Sequence, residues 1–384
     1  MGLLLEQVHR RGPLTRAELT ARLGLNRSTV GALVGELAAL GVLQETTPTP
    51  AARSPRAGRP SHVVEPRADG PFGVAVDVEV DRLTVAAVQL GGVLLARRVE
   101  ALPSSRRSAD AVARSVVRAV RRLAGDVPTG AWPVGVGVSI PGTVRAADGV
   151  VEVAPNLGWR GEPFGPMLSA GLSVGLPVEL GNDADLAVLA EHLRGAAQDA
   201  DDVVFVTGRV GVGAGILVDG RPLRGVGGLA GEVGHTVLDP GGLPCHCGGR
   251  GCAESLVGEA ALLRLAGRPG PPEAAAVAEV LAAARAGEPR ACAGVLLVAT
   301  SLGRVLANLV NLLNPQVIVL GGALVDVADL AGPEITAELD RQAMGAARGM
   351  VEVRVSQLGR DSSLLGAAEL GLRALLADPG AVAG

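Results

Sequence analysis

Two stretches of this chain run through the same kind of order, strands and then helices, and that repetition narrows the fold to very few architectures. "FGVAVDVEV", "RLTVAAVQL" and "VLLARRVE" read as three consecutive strands, followed by a helix at about 108–124 and the buried strand "PVGVGVSI". The pattern returns as strand "PVEL", a helix from Asp183, strands "VVFVTG" and "GAGILVDG", long helices and strand "PQVIVLGG". Mixed strands followed by helices, twice over, predict an α/β protein of two lobes with a ligand cleft between them. A last helix, about Ser363–Leu376, is expected to return to the first lobe. The expected partition is 71–182 with 363–384 for the first lobe and 183–362 for the second.

The first 67 residues follow other rules. "LLLEQVHRRG" reads as an amphipathic helix, and Thr15 and Glu18 have the spacing of a capping box, predicting a helix from about Arg16 to Leu23 that Gly24 stops. Asn26 is the expected N-cap of a third helix, on which Val30, Leu33, Val34, Leu37 and Leu40 share a face. "VLQE" and "HVVE" read as short strands flanking the Pro-, Ala- and Arg-rich "TTPTPAARSPRAGRP". This order predicts a winged helix-turn-helix head over residues 1–67. Arg27, Ser28 and Thr29 occupy the turn of the third helix that reaches base edges, and Arg53, Arg56 and Arg59 on the wing are placed to meet phosphates or a minor groove.

Charge agrees with a double-stranded DNA partner for the head alone. Residues 1–67 carry nine Arg and five Glu, a balance of +4, whereas the whole chain stands at −4, leaving −8 for the remainder. All 35 basic residues are arginine, so no lysine is available as a Schiff-base nucleophile, general base or phosphate clamp. The longest apolar run, Val295–Leu313, is interrupted by Arg304, and the N-terminus lacks the pattern of a signal peptide; a cytoplasmic protein without a membrane span is expected.

Three of the four cysteines lie in "GHTVLDPGGLPCHCGGRGCAES". His235, Cys245, Cys247 and Cys252 are spaced by ten, two and five residues. One imidazole and three thiolates make a closed tetrahedral zinc set, with no position left for water, so the expected metal is structural. His246 is an alternative to His235 as ligand, and C-H-C lacks the two-residue gap of a redox dithiol. Cys292 reads as a buried apolar residue.

"GLAGEVGH" and "CHCGGRGCAES", together with "GND" at 181–183 and "NPQVIVLGGAL", resemble the ROK family of repressors, open-reading-frame proteins and sugar kinases. The resemblance implies an actin-like, ribonuclease-H-like ATPase fold for the body, a sugar or sugar-phosphate effector, and a homodimer or homotetramer. It also implies a sugar pocket made by Asn156, Asn182, Asp183, Glu232, His235 and Glu254, with the metal pinning the loop that carries the last three. In the family's kinases the residue matching Asp183 is the catalytic base.

The nucleotide loops depart from the kinase pattern. Where the kinases have D-x-G-G-T this chain reads "DVEVD", so Glu79, Val80 and Asp81 replace two glycines and a threonine. Side chains there obstruct a phosphate, and the added acids repel it by roughly 3 kcal/mol per unit charge pair at ~5 Å and an effective dielectric of ~20. In "GRVGVGAG", Arg209 and Val210 replace a glycine and a threonine. The expectation is a sugar-responsive DNA-binding regulator, most simply a repressor, with a degenerate ATP site and no enzyme activity. The alternative is an active ATP-dependent sugar kinase that keeps a DNA-binding head, with Asp183 as its base.

Overall fold

The computed structural model describes residues 1–47, 62–103, 105, 107–172, 175–209, 211–271 and 273–382. The chain divides into two compact units, Met1–Asp183 with Leu364–Gly384, and Ala184–Ser363. The chain passes from one unit to the other at Asp183/Ala184 and again at Ser363/Leu364, near the start of the last long helix.

The first unit begins with α1 (Gly2–Arg11), β1 (Leu14–Thr15), α2 (Arg16–Leu23), α3 (Arg27–Ala39), β2 (Leu43–Thr46) and β3 (Val63–Pro66), whose strands pair in the order β1-β3-β2. Local chemistry sets the ends of these helices. The Thr15 hydroxyl accepts from the Glu18 N–H at 3.2 Å, while the Glu18 carboxylate accepts from the Thr15 N–H at 2.7 Å. The second of these bonds holds the Glu18 carboxyl below the usual carboxylate range. Gly24, at φ 63°, ends α2. Asn26 Oδ1 then accepts from the Thr29 N–H at 2.8 Å and starts α3, a cap worth ~1 kcal/mol.

This head is not set off from the rest of the unit. Leu4, Leu5, Val8, Leu19, Val34 and Leu37 are buried in one cluster with Leu90, Val134, Leu372 and Leu375. The core of the head is completed by residues of the first lobe.

That lobe contains β4 (Pro71–Val78), β5 (Arg82–Gln89), β6 (Leu94–Ala101), α4 (Ala109–Leu123), β7 (Trp132–Ile140), β8 (Thr143–Arg145), β9 (Val150–Ala154), β10 (Trp159–Glu162), α5 (Phe164–Leu172) and β11 (Val178–Asn182). The main sheet runs β11-β7-β4-β5-β6, antiparallel on the β5 side and parallel through β7 and β11. α4 packs on it through Val112, Val116, Ala119 and Leu123, one face of a helix. β7 carries glycines because α12 (Ser362–Ala377) lies directly against it: a Cβ on Gly137 would stand 1.8 Å from the Ala367 carbonyl oxygen.

The second unit has α6 (Asp183–Arg194, entering from the first unit), β12 (Val203–Gly208), β13 (Val212–Val218), β14 (Arg221–Pro222), α7 (Glu259–Leu265), α8 (Ala274–Arg285), α9 (Pro289–Leu313), β15 (Val317–Gly322), α10 (Leu324–Gln342), α11 (Gly345–Arg348) and β16 (Glu352–Val355). Its sheet, β14-β13-β12-β15-β16, repeats the first one: a hairpin and its third strand on one side of the leading strand, two parallel strands on the other. α9 is long and apolar enough to span a bilayer, but its most apolar window is 67% buried inside this unit. Leu302, Val305, Leu306 and Val310 are among its core residues.

One charge cluster in this unit gives a pH prediction. Glu338, 6% exposed, receives bonds from Arg304, Arg341 and Gln342, and its pKa is lowered to about 2, chiefly by Arg304. A folded pKa below the ordinary glutamate range means stability present above that range and lost as pH falls towards 2. Glu338→Gln is expected to flatten the fall in melting temperature between pH 5 and 3. The lost contribution is about 1 kcal/mol, because the arginine partners are solvent-screened; an unchanged acid limb would refute it.

Candidate functional site

The cysteine-rich segment folds into a small knuckle. Val237 pairs with Cys252 and Pro244 with Arg250, and the Ala253 N–H donates to the Thr236 carbonyl at 2.8 Å. Gly248 and Gly251 take φ 93° and 67°, conformations that favour glycine. At Gly251 a Cβ would also stand 1.5 Å from the Asp239 carbonyl oxygen.

This backbone brings His235, Cys245, Cys247 and Cys252 together, with one ligand atom from each, all within 4.8 Å of one another. Cys245 Sγ lies 3.7 Å from His235 Nδ1, and Cys247 Sγ lies 3.7 Å from Cys252 Sγ. A tetrahedron with metal–sulfur bonds of ~2.3 Å has edges of ~3.8 Å, so the spacing fits a four-coordinate ion. Burial, reinforced by the neighbouring thiols, pushes the Cys252 thiol up to about 12, whereas the Gly249 backbone hydrogen bond lowers Cys247. His246 sits 3.9 Å from Cys245 Sγ, but its Nδ1 is 2.9 Å from Glu254 Oε1.

Glu254 thereby has a role that the sequence did not disclose. Its other oxygen, Oε2, accepts from the Val212 N–H at 3.2 Å, beneath the glycine-rich turn between β12 and β13. A Cβ at Gly211 would come within 2.4 Å of that oxygen, so a side chain there would displace the carboxylate. The cluster and this turn are thus joined through one carboxylate. Among the other expected sugar residues of this unit, Glu232 is half-exposed just before the turn at Val233–His235, its Oε2 3.9 Å from His235 Nε2.

The remaining expected sugar residues belong to the first unit. Asn156 is exposed in a short turn after β9. Asn182 ends β11 and donates from Nδ2 to the Gly142 carbonyl at 3.0 Å, and Asp183 opens α6. Of the expected DNA contacts, Arg27 and Ser28 are exposed on the first turn of α3, with the Ser28 hydroxyl donating to Asn26 Oδ1 at 2.7 Å. Thr29 is half-buried, and Arg53, Arg56 and Arg59 lie outside the described residues.

At the first nucleotide loop, Asp77 is buried and stands in register with Thr84 on β5 and Ser139 on β7. The turn closes on itself: the Glu79 N–H donates to the Arg82 carbonyl at 2.8 Å, and the Arg82 guanidinium pairs with the Glu79 carboxylate. That pairing offsets the charge of Glu79 within its own turn. None of residues 79–81 has a positive φ. In the second loop Arg209 is described and Val210 is not.

Comparison with known proteins places these features. The family model described as "ROK family" matches residues 73–374. The xylose repressor of Bacillus subtilis is 26% identical over 365 residues, covering 95% of this chain and 92% of its own. The crystal structure of a ROK family transcriptional regulator, a homolog of the E. coli MLC protein, superposes with a TM-score of 0.79 at 27% identity, covering 98% of this chain and 95% of that one. The ROK glucokinase of Streptomyces griseus, solved with glucose and AMPPNP, reaches a TM-score of 0.66 at 30% identity. It covers 98% of its own length but only 78% of this chain. The α/β body, the repeated sheet and the family match over most of its length agree: this chain belongs to the ROK family.

Proposed function

We propose that the protein is a cytoplasmic, sugar-responsive transcriptional repressor that binds double-stranded operator DNA as a homodimer or homotetramer. The observation that carries this reading is coverage: similarity to repressors runs from the head through the body, whereas similarity to the glucokinase omits about a fifth of the chain. Residues 1–67 serve as a winged helix-turn-helix, with Arg27, Ser28 and Thr29 at base edges and Arg53, Arg56 and Arg59 on phosphates. Asn156, Asn182, Asp183, Glu232, His235 and Glu254 hold a sugar or sugar phosphate through paired donors and acceptors. A structural zinc on His235, Cys245, Cys247 and Cys252 fixes the last three of those sugar residues in place.

Sugar binding and DNA binding are linked through two conformations, so each weakens the other by the same factor. The kinase reading retains one observation in its favour, the carboxylate of Asp183 at the start of α6. Side chains in place of glycine at 79 and 80 count against it. Titration calorimetry with D-xylose, D-glucose and their phosphates, beside gel shifts on DNA from upstream of its own gene, tests the proposal. Sugar-dependent release of DNA is expected. ATP-dependent phosphorylation of a hexose that Asp183→Asn abolishes would establish the kinase instead.

A further inference from the structure

Two buried polar contacts outside the sugar and metal residues sit along α12. At its entry, Glu191 of α6 is fully buried. Its Oε1 accepts from the Ser362 hydroxyl at 2.9 Å, the Ser356 hydroxyl at 2.5 Å and the Leu358 N–H at 3.2 Å. Its Oε2 accepts from the Ala196 N–H at 2.8 Å and the Gln357 N–H at 3.3 Å. One carboxylate on α6 therefore organises the segment that leads into α12. α6 is also the helix that opens on Asp183.

Two turns into α12, Glu369 lies 2.6 Å from Nε2 of His9 on α1, with both side chains buried. The Gly91 N–H donates to His9 Nδ1 at 3.1 Å. With Nδ1 accepting, the ring carries its proton on Nε2 and gives it to Glu369, so both nitrogens are used and the ring is fixed in one orientation. The apolar contacts run the same way. Leu372 and Leu375 join the core of the head, and a Cβ on Gly2 would stand 2.7 Å from the Leu376 carbonyl oxygen. On the sheet side, Cβ atoms on Gly135 and Gly137 would meet the carbonyls of Gly371 and Ala367 at 2.5 and 1.8 Å. Backbone-to-backbone packing of that kind leaves little room for sliding.

We propose that α12 is the lever that carries a sugar-driven movement to DNA, with the His9–Glu369 contact as the bolt that fixes the head to it. Head, sheet and α12 then move as one body, and Glu191 orders the segment that leads into α12. This rests on the sugar-responsive reading above. A head on a loose tether would lose the movement in its linker; a head whose core and only buried histidine are anchored on α12 passes it on. His9 and Glu369 are positioning residues, and a directional pair suits registry better than apolar contact alone.

The test uses the full chain, D-xylose and D-glucose as sugar probes, and a duplex from upstream of its own gene. Hydrogen exchange should find the α1 amides as protected as those of α12, and Glu369→Ala should speed α1 by about tenfold while leaving α9 unchanged. In the same variant, the factor by which sugar weakens duplex binding should shrink about fivefold, with sugar affinity itself unchanged. Glu369→Gln, which still accepts from Nε2–H, should restore the factor. If Glu369→Ala fails to fold, His9→Asn, too short to span to Glu369, gives the same readout. Unprotected α1 amides in the wild type, or a wild-type factor in the alanine variant, would overturn the proposal. If neither sugar binds the wild type, it is the sugar reading that fails, and the exchange measurement still decides whether the bolt exists.

Discussion

Cys252→Ser is expected to empty the metal site and abolish the sugar response. Cys252 is the one buried member of the four, where burial and the neighbouring thiols disfavour a free thiolate, and a bound cation would favour it. A serine hydroxyl is a far poorer ligand for a soft-tolerant ion than a thiolate. Glu232, His235 and Glu254 are carried on or beside this knuckle, and the Cys252–Val237 pairing is part of its frame. Metal content measured by mass spectrometry should fall from one ion per chain to near zero, and sugar affinity should drop by about 100-fold. Chelation of the wild type should do the same. Because the ligands bind as thiolates and a neutral imidazole, metal loading should also weaken as pH falls. Full sugar affinity in a metal-free variant would break the link between the two sites.

Gly137→Ala should be the most damaging small substitution in the first unit. The added methyl would stand 1.8 Å from the Ala367 carbonyl oxygen, and both partners are backbone, so relief requires α12 to lift from β7. A cost of about 3 kcal/mol or more is expected, read as a lower melting temperature or loss of soluble protein. Gly35→Ala is the control. Gly35 lies within α3 with nothing inside 4 Å of its would-be Cβ. Alanine there should stabilise the helix by about 1 kcal/mol. Equal effects from the two changes would mean that the close approach of α12 is wrong.

What could be read from the sequence was local. The Thr15–Glu18 box, the Asn26 cap and the glycine stops are decided within a few residues, and they appear where the spacing placed them. The four-ligand cluster was legible for the same reason, since ten, two and five residues must loop back in a short knuckle. The repeated strand order told of two lobes because each strand announces itself by its own residues. Contacts between distant segments could not be seen. His9 and Glu369 are 360 residues apart, and nothing in "LLLEQVHRRG" says that its core will be completed by Leu372 and Leu375. The Glu79–Arg82 pair was only three residues wide, yet counting acids against a phosphate missed it, because the turn that joins them had first to exist. Glu254 showed the same gap: its motif position marked it as important, but its bonds to His246 and Val212 depend on how the knuckle folds back.

The shared core of head and first lobe also bears on how such a chain can be cut. Deleting residues 1–67 to obtain the body alone would uncover Leu90, Val134, Leu372 and Leu375 together, and would leave the Glu369 carboxylate without His9. The truncated product would carry a greasy scar and tend to self-associate. Polar residues at those four positions would be needed to keep such a truncated chain from associating through them.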